Sequence, residues 1–233
     1  MSRLRFDSVV APPGKGTSSE ALIGAQAPLA AAMRALGIVM WPTGRYQADE
    51  MLSTAAARYA AEPAVEQVVI CANDNDFDQC VIGESVVVLD RIRNTLTDEA
   101  AVRARWGVAP AQIPELFALI GDRSDGLPGL PGWGVRSASA VLAEYGTVEQ
   151  IPLDSTTWRV KVRGAERLAA LLRERREEAL LCRDLSRLRI DLPLRSTLAD
   201  LEWHGAHRSA LDALVAVLGD DTAAARVPRW AAE

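Results

Sequence analysis

The sequence predicts an α/β sandwich on a mostly parallel sheet, followed by an all-helical region, with a soft boundary near residue 97. Three observations carry that prediction. Helical and strand-like apolar runs alternate up to Asp98, which is the pattern of βαβ units. Beyond Asp98 the β-branched runs disappear and only helical periodicity remains. The joints there are Gly- and Pro-rich turns, with no low-complexity linker and no repeat, so parts 1–97 and 98–233 are expected to pack together.

Each element has its own signal. Residues 1–19 are Pro/Gly/Ser-rich and read as loop. A helix is expected over Ala25–Leu36, stopped by Gly37, and Ile38–Trp41 reads as a short buried strand. A second helix is expected from Ala48 to Ala61, stopped by Pro63; the β-branched runs Val65–Cys71 and Val86–Leu89 read as strands. Helices are then expected over 98–106, 111–120, 137–145, 165–183 and 207–218, with joints at Pro110, at the cluster GDRSDGLPGLPGWG (121–134) and at Pro152.

Composition removes several classes. With 49% hydrophobic and 24% charged residues the chain is neither disordered nor fibrous. Gln26 and Arg34 break the best apolar run well short of the ~20 residues of a membrane span. The start carries Arg3, Arg5 and Asp7 and then Pro/Gly-rich sequence, not a signal-peptide core. Cys71, Cys80 and Cys182 are odd in number and form no CxxC pair, which reads as reduced thiols in a cytoplasmic protein. Two histidines, His204 and His207, are too few for a histidine metal site and read as surface helix residues.

The net charge of −5 hides a split. Residues 1–154 carry 12 basic and 19 acidic side chains, a net of −7; residues 155–233 carry 14 and 12, a net of +2. Within 159–195 the count is 11 against 6, or +5. An acidic body with a basic helical arm fits a cation beside a phosphate-facing surface, but it also fits a solvated helix laced with i,i+4 pairs.

Three acidic clusters stand at element ends: Asp49-Glu50, Asp74-Asn75-Asp76 and Asp122 with Asp125. In an α/β sheet ligands bind beyond the carboxyl ends of the strands, where Asp74 and Asp76 are expected, and period-2 alternation would aim both to one side. Gathered carboxylates repel, and either protons or a hard divalent cation relieves them; an Asp/Glu nest without His or Cys suits Mg²⁺ or Mn²⁺. Two such ions can clamp a phosphodiester. Taken singly, each cluster is equally read as a cap or first-turn acid.

A second constellation runs from Gly129 through Gly132-Trp133-Gly134 to Arg136 and Ser137. Gly132 and Gly134 make a tight turn between helices and Ser137 can cap the next one. Free N–H groups there, with Arg136, form an anion site that would touch nucleic-acid phosphate and not base edges. Trp133 reads as packing within the turn or stacking on a base.

Residues 47–151 resemble the 5′→3′ exonuclease and flap endonuclease family, which includes the N-terminal nuclease domain of bacterial DNA polymerase I. Its E-A-D-D motif is matched by Gln47-Ala48-Asp49-Glu50, and its T-x-D-x-D-L-x-Q segment by Ala72 through Gln79. Its G-D-x-S-D-N-x-P-G-x-x-G-x-G-x-K-[ST]-A motif is matched by Gly121–Ala138, and its continuation by Glu144–Ile151. The resemblance implies a PIN-like (resolvase-like) αβα core in 1–97. It also implies a helix–three-turn–helix DNA-binding region in 98–233, with the hairpin motif at 121–145. It implies two-metal hydrolysis with Mg²⁺ or Mn²⁺, K⁺ on the hairpin carbonyls, no organic cofactor and no membrane. Carried over by position, Asp49, Glu50 and Asp74 are expected around the first ion, and Asp76, Asp122 and Asp125 around the second. Gly132, Gly134, Arg136 and Ser137 are expected on duplex phosphates, with Lys15 matched to the lysine before the family's arch.

The departures define a second reading. Gln47 replaces the first family carboxylate and Glu50 an aspartate. The family's L-I-D-G and F-D strands precede the matched region, so the chain reads as N-terminally truncated relative to the family, with Asp7 imitating the F-D motif. The leading expectation is a metal-dependent 5′ nuclease acting on DNA ends and flaps without sequence preference. The alternative is a catalytically weakened, structure-specific DNA-binding homologue; a PIN-like ribonuclease is a third, which the hairpin disfavours.

Overall fold

The computed structural model describes residues 28–41, 46–219 and 222–232. They fall into two compact units: one runs from Ala48 to Leu192, and the other joins the described residues up to Gln47 with those from Pro193 onward. Both sides of residue 97 lie in the first unit. Lys15 lies outside the described residues.

In the larger unit, helix α2 (Ala48–Ala60) carries Asp49 and Glu50 in its first turn, where the helix dipole favours negative charge. Its buried residues Met51, Ala55, Ala56 and Tyr59 repeat at helical spacing and face the core. Strand β1 (Val68–Ile70) pairs in parallel with β2 (Val86–Asp90), Val68 opposite Val86 and Ile70 opposite Val88. Val86 and Val87 are essentially sealed from solvent, as a strand covered on both faces should be. A third strand, β3 (Thr95–Thr97), pairs antiparallel with β2, so the sheet is mixed. β3 carries no sequence signal because it is a short edge with Thr95 and Leu96 exposed. The turn before it is set by Asp90, whose Oδ1 accepts from the backbone of Ile92 and Arg93 at 2.8 and 3.0 Å.

Helix α3 (Glu99–Trp106) begins where Asp98 Oδ1 accepts the Ala101 N–H at 2.8 Å. Helix α4 (Ile113–Ile120) is buried on every side from Ile113 to Leu119, including the carboxylate of Glu115. A helix that is apolar all round belongs at the centre of a bundle. Helices α5 (Val135–Tyr145) and α7 (Arg176–Ser186) pack on it. The expected single helix over 165–183 is two, α6 (Ala165–Glu174) and α7, broken at Arg175, whose guanidinium pairs with Glu178.

In the smaller unit, residues 28–35 are helical (α1), and Gly37 with Ile38 closes the helix by donating to Arg34 and Met33 carbonyls. The expected strand Ile38–Trp41 is not one: these residues have no ladder, and Val39 and Met40 are 42% and 43% exposed. An apolar run becomes a strand only where a partner edge exists. The C-terminal part supplies helix α8 (Arg208–Leu218) and the short α9 (Thr222–Ala225). The His207 N–H donates to the Ala35 carbonyl, and the Trp203 indole to the Leu36 carbonyl, each at 2.8 Å. No helix among the described residues is long and apolar enough to cross a membrane.

Candidate metal centre and phosphate-facing hairpin

The chain reverses into the site through a six-residue 3₁₀ turn, Asn75–Cys80. Asp74 caps it, its Oδ1 accepting the Asp76 N–H at 3.1 Å. The two carboxylates therefore meet through this turn and not through strand alternation, which corrects the period-2 argument. Successive residues of so tight a turn leave in different directions. Asp76 goes to the acidic site, and Phe77 goes into the core. Asp78 accepts the Trp106 indole N–H at 2.6 Å and Arg105 at 3.1 Å. Gln79 bridges the Ser186 carbonyl and the Leu188 N–H at 2.9 and 3.0 Å. Asp78 and Gln79 hold the turn in place and were not singled out from sequence, although both lie inside the matched segment.

The second acidic segment arrives from the far end of α4. Gly121 ends that helix and the loop returns on itself, with Leu127 donating to the Asp122 carbonyl at 2.7 Å and Leu130 to Leu119 at 2.8 Å. The return is so close that a Cβ on Gly129 (φ +62°) would lie 2.2 Å from the Gly121 nitrogen. Only glycine fits there. Within the loop Asp122 Oδ1 accepts the N–H and hydroxyl of Ser124.

Asp76, Asp122 and Asp125 each bring a carboxylate oxygen within 4.8 Å of the others. Asp76 is 4% exposed and shares a hydrogen bond with Asp125, while its other oxygen, Oδ1, is buried with no partner. Burial, the Asp125 hydrogen bond and the charges of Asp125, Asp74 and Asp122 push its carboxyl up to about 8. Asp74 is raised mainly by burial, with Asp125, Asp122 and Asp49 adding to it against the Asp76 N–H. Five of the expected carboxylates thus act on one another, and Glu50 follows Asp49 in the first turn of α2. Cys80 beside them is pushed up to about 12, first by burial and then by Asp76, Asp49 and Asp78, so its thiol stays protonated.

The hairpin Gly129–Gly134 leads into α5 with Gly134 as its cap. Ser137 does not take the cap position. From the third residue of the helix its hydroxyl accepts the Gly134 N–H at 3.1 Å and donates to the Gly134 carbonyl at 3.0 Å. The Gly134 N–H is therefore engaged, which corrects the expectation of a free donor there, and the first-turn amides of α5 remain. Trp133 packs: it is 7% exposed, its ring 6.2 Å from that of Trp158. Arg136 and Gly132 are exposed.

Residues 108–209 match the model of the 5′-3′ exonuclease C-terminal SAM fold. The chain is 35% identical over 192 residues to DNA polymerase I of Bacillus caldotenax, covering 80% of this chain and 21% of that protein. It is 29% identical to the flap endonuclease Xni of Edwardsiella ictaluri, covering 82% of this chain and 72% of that one.

The chain belongs to the 5′→3′ exonuclease and flap endonuclease family.

Its fold agrees. The catalytic core of Rad2 in complex with DNA substrate superposes with a TM-score of 0.53 at 17% identity, over 88% of this chain and 68% of that one. The bacteriophage T5 D15 protein co-crystallized with metal ions gives 0.50 at 17%, over 74% and 58%. This 5′-nuclease homologue spans about a fifth of the DNA polymerase I chains it matches.

Proposed function

We propose that this chain is the DNA-facing body of a divalent-metal-dependent 5′ nuclease, working in the cytoplasm and hydrolysing phosphodiesters at 5′ ends and flaps without sequence preference. One observation carries the reading. Two segments some 45 residues apart bring three carboxylates together around a buried, unpartnered Asp76 oxygen. Such a group is not stable as three free anions, and hard oxygen donors without His or Cys match Mg²⁺ or Mn²⁺. Asp76, Asp122 and Asp125 would hold the cation, with Asp74 and Asp49 beside them and Glu50 on the adjoining turn. Bound there, two divalent ions supply the Lewis acidity that phosphodiester hydrolysis needs.

The chain's own residues do the rest. The 3₁₀ turn and the Gly121–Gly129 loop fix the carboxylates, and Asp78 and Gln79 brace them from behind. The first-turn amides of α5, Gly132 and Arg136 take backbone phosphate, with the Ser137 hydroxyl available where it exchanges its Gly134 contact. K⁺ on the hairpin carbonyls belongs to the same proposal, as does Lys15 on the DNA.

A 5′-labelled flap duplex incubated with Mg²⁺, Mn²⁺ or EDTA tests the activity, with Asp74→Ala as control. EDTA-sensitive cleavage lost in Asp74→Ala supports the reading. Cleavage that persists in Asp74→Ala places the chemistry elsewhere. Gln47 where the resemblance expects a carboxylate favours the second reading, a weakened DNA-binding homologue; binding without cleavage in either metal would establish it. Arg136→Ala is expected to weaken duplex binding by about 1–2 kcal/mol, through loss of one charge-assisted contact. Fluorescence anisotropy at fixed salt measures it, and equal affinities would remove Arg136 from the interface.

A further inference from the structure

The basic arm that follows the hairpin is mostly spent on the protein itself. Arg159 pairs with Glu144, Arg175 with Glu178, Arg183 with Glu149, Arg187 with Glu115 and Arg189 with Asp191. Arg173 and Arg176 donate to the carbonyls of Leu153 and Glu149. Among the described residues from 159 to 189, the basic side chains left without a hydrogen bond or ion pair are Lys161, Arg163 and Arg167. All of them are exposed.

Arg167 has a specific place. It sits in the first turns of α6, and its guanidinium lies over the hairpin. A Cβ built on Gly132 (φ +86°) would be 2.5 Å from the Arg167 Nη2 and 3.2 Å from Cζ. Arg136, on the first turn of α5, is also exposed and without a partner among the described residues. Two helix starts some 30 residues apart thus bring uncompensated arginines to one hairpin, Arg167 over Gly132 and Arg136 on the turn that follows Gly134. The nearest acid on the helix, Glu166, is one residue away, and neighbours at that spacing do not face each other. Most guanidinia along the arm find a carboxylate or a carbonyl of the protein, and those left without one at the hairpin mark the place where an external anion completes the surface.

We infer that Arg167 is a DNA-phosphate contact, closing over the hairpin from α6 so that the duplex backbone is gripped between Arg136 and Arg167, with Lys161 and Arg163 extending the grip. This rests on the nuclease reading of the hairpin, and the experiment separates the two. Binding of a fluorescein-labelled 30-base-pair duplex, in two unrelated sequences and in EDTA, is measured by anisotropy from low to moderate salt. The variants are Arg167→Ala, Arg167→Lys, Arg136→Ala and Arg103→Ala. Arg103 is also an exposed arginine, held by Glu99, so it controls for the loss of one charge.

Arg167→Ala is expected to weaken binding about tenfold for both sequences and to lower the salt slope by about 1, as loss of one phosphate contact does. Arg167→Lys is expected to keep the slope and most of the affinity. Arg103→Ala is expected to bind as wild type. If Arg167→Ala binds as wild type while Arg136→Ala is weakened, the hairpin reading stands and the inference about Arg167 is overturned. If neither variant changes affinity or slope, both fail. A loss as large in Arg103→Ala overturns the inference too, since net charge alone then explains it.

Discussion

With Mg²⁺ and a 5′-flap substrate, Asp76→Asn is expected to lower the cleavage rate about 100-fold or more, since even groups that only support a metal ligand are worth about 10–100-fold. In EDTA the same variant is expected to melt several degrees above the wild type. The two effects have one cause. The Asp76 carboxyl is almost completely buried beside Asp122 and Asp125, with Oδ1 unpartnered, so without a cation its charge opposes folding. An amide of the same shape removes that repulsion and can donate to Asp125. Relief of about 2 kcal/mol corresponds to roughly 4–8 °C in a chain of this size. Adding Mg²⁺ should raise the melting temperature of the wild type, because a ligand that binds only the folded state stabilises it, and should do so less in the variant. Cleavage at the wild-type rate would remove Asp76 from the metal set. A lower melting temperature in EDTA would show that its charge is satisfied within the protein.

The largest loss of stability is expected from Glu115→Ala. Glu115 lies on the buried helix α4, 5% exposed. Its Oε2 accepts the Val148 N–H at 2.9 Å, and its Oε1 lies 3.3 Å from Arg187 and 3.7 Å from Arg183. Truncation leaves a buried N–H without an acceptor and the half-buried Arg183 with one carboxylate fewer. Breaking a buried pair from one side costs about 3–5 kcal/mol. The melting temperature should therefore fall by roughly 6–20 °C. Glu115→Gln keeps an acceptor for Val148 and should recover part of that. If Glu115→Ala melts with the wild type, the interior ion pairs between α4 and α7 contribute nothing net. Glu115 is not one of the clustered carboxylates, so the metal affinity of a folded variant should be unchanged.

Some of this was legible in the residues alone. Val86–Leu89 is β-branched and unbroken, so it could only be a covered strand, and it is. Asp98 before a helical run and Gly107 after it mark α3 by capping chemistry that acts within one turn. The glycines of 121–134 mark a joint between helices, and its closest return is at Gly129, which has room for no side chain. Each of these is decided by interactions within a few residues.

What the residues alone did not decide depended on partners far along the chain. Ile38–Trp41 has the composition of a strand but pairs with no edge among the described residues, whereas the exposed Thr95 and Leu96 belong to one because β2 offers its backbone. Asp74 and Asp76 were expected together by pleat and come together by a 3₁₀ turn that Asp78 and Gln79 fasten to α3 and to the end of α7. Glu115 carries no sequence signal of its own and is set by Arg183 of α7 and Arg187 at its end, and the basic arm that also fits a solvated helix places Arg167 over Gly132. The chain's own sequence determined its helices, its capped ends, its glycine turns and the chemistry of its carboxylates, since these follow from local sterics and charge. Only the tertiary structure decided which carboxylates share one site and which arginines stay uncompensated, because both are set by which distant surfaces pack together.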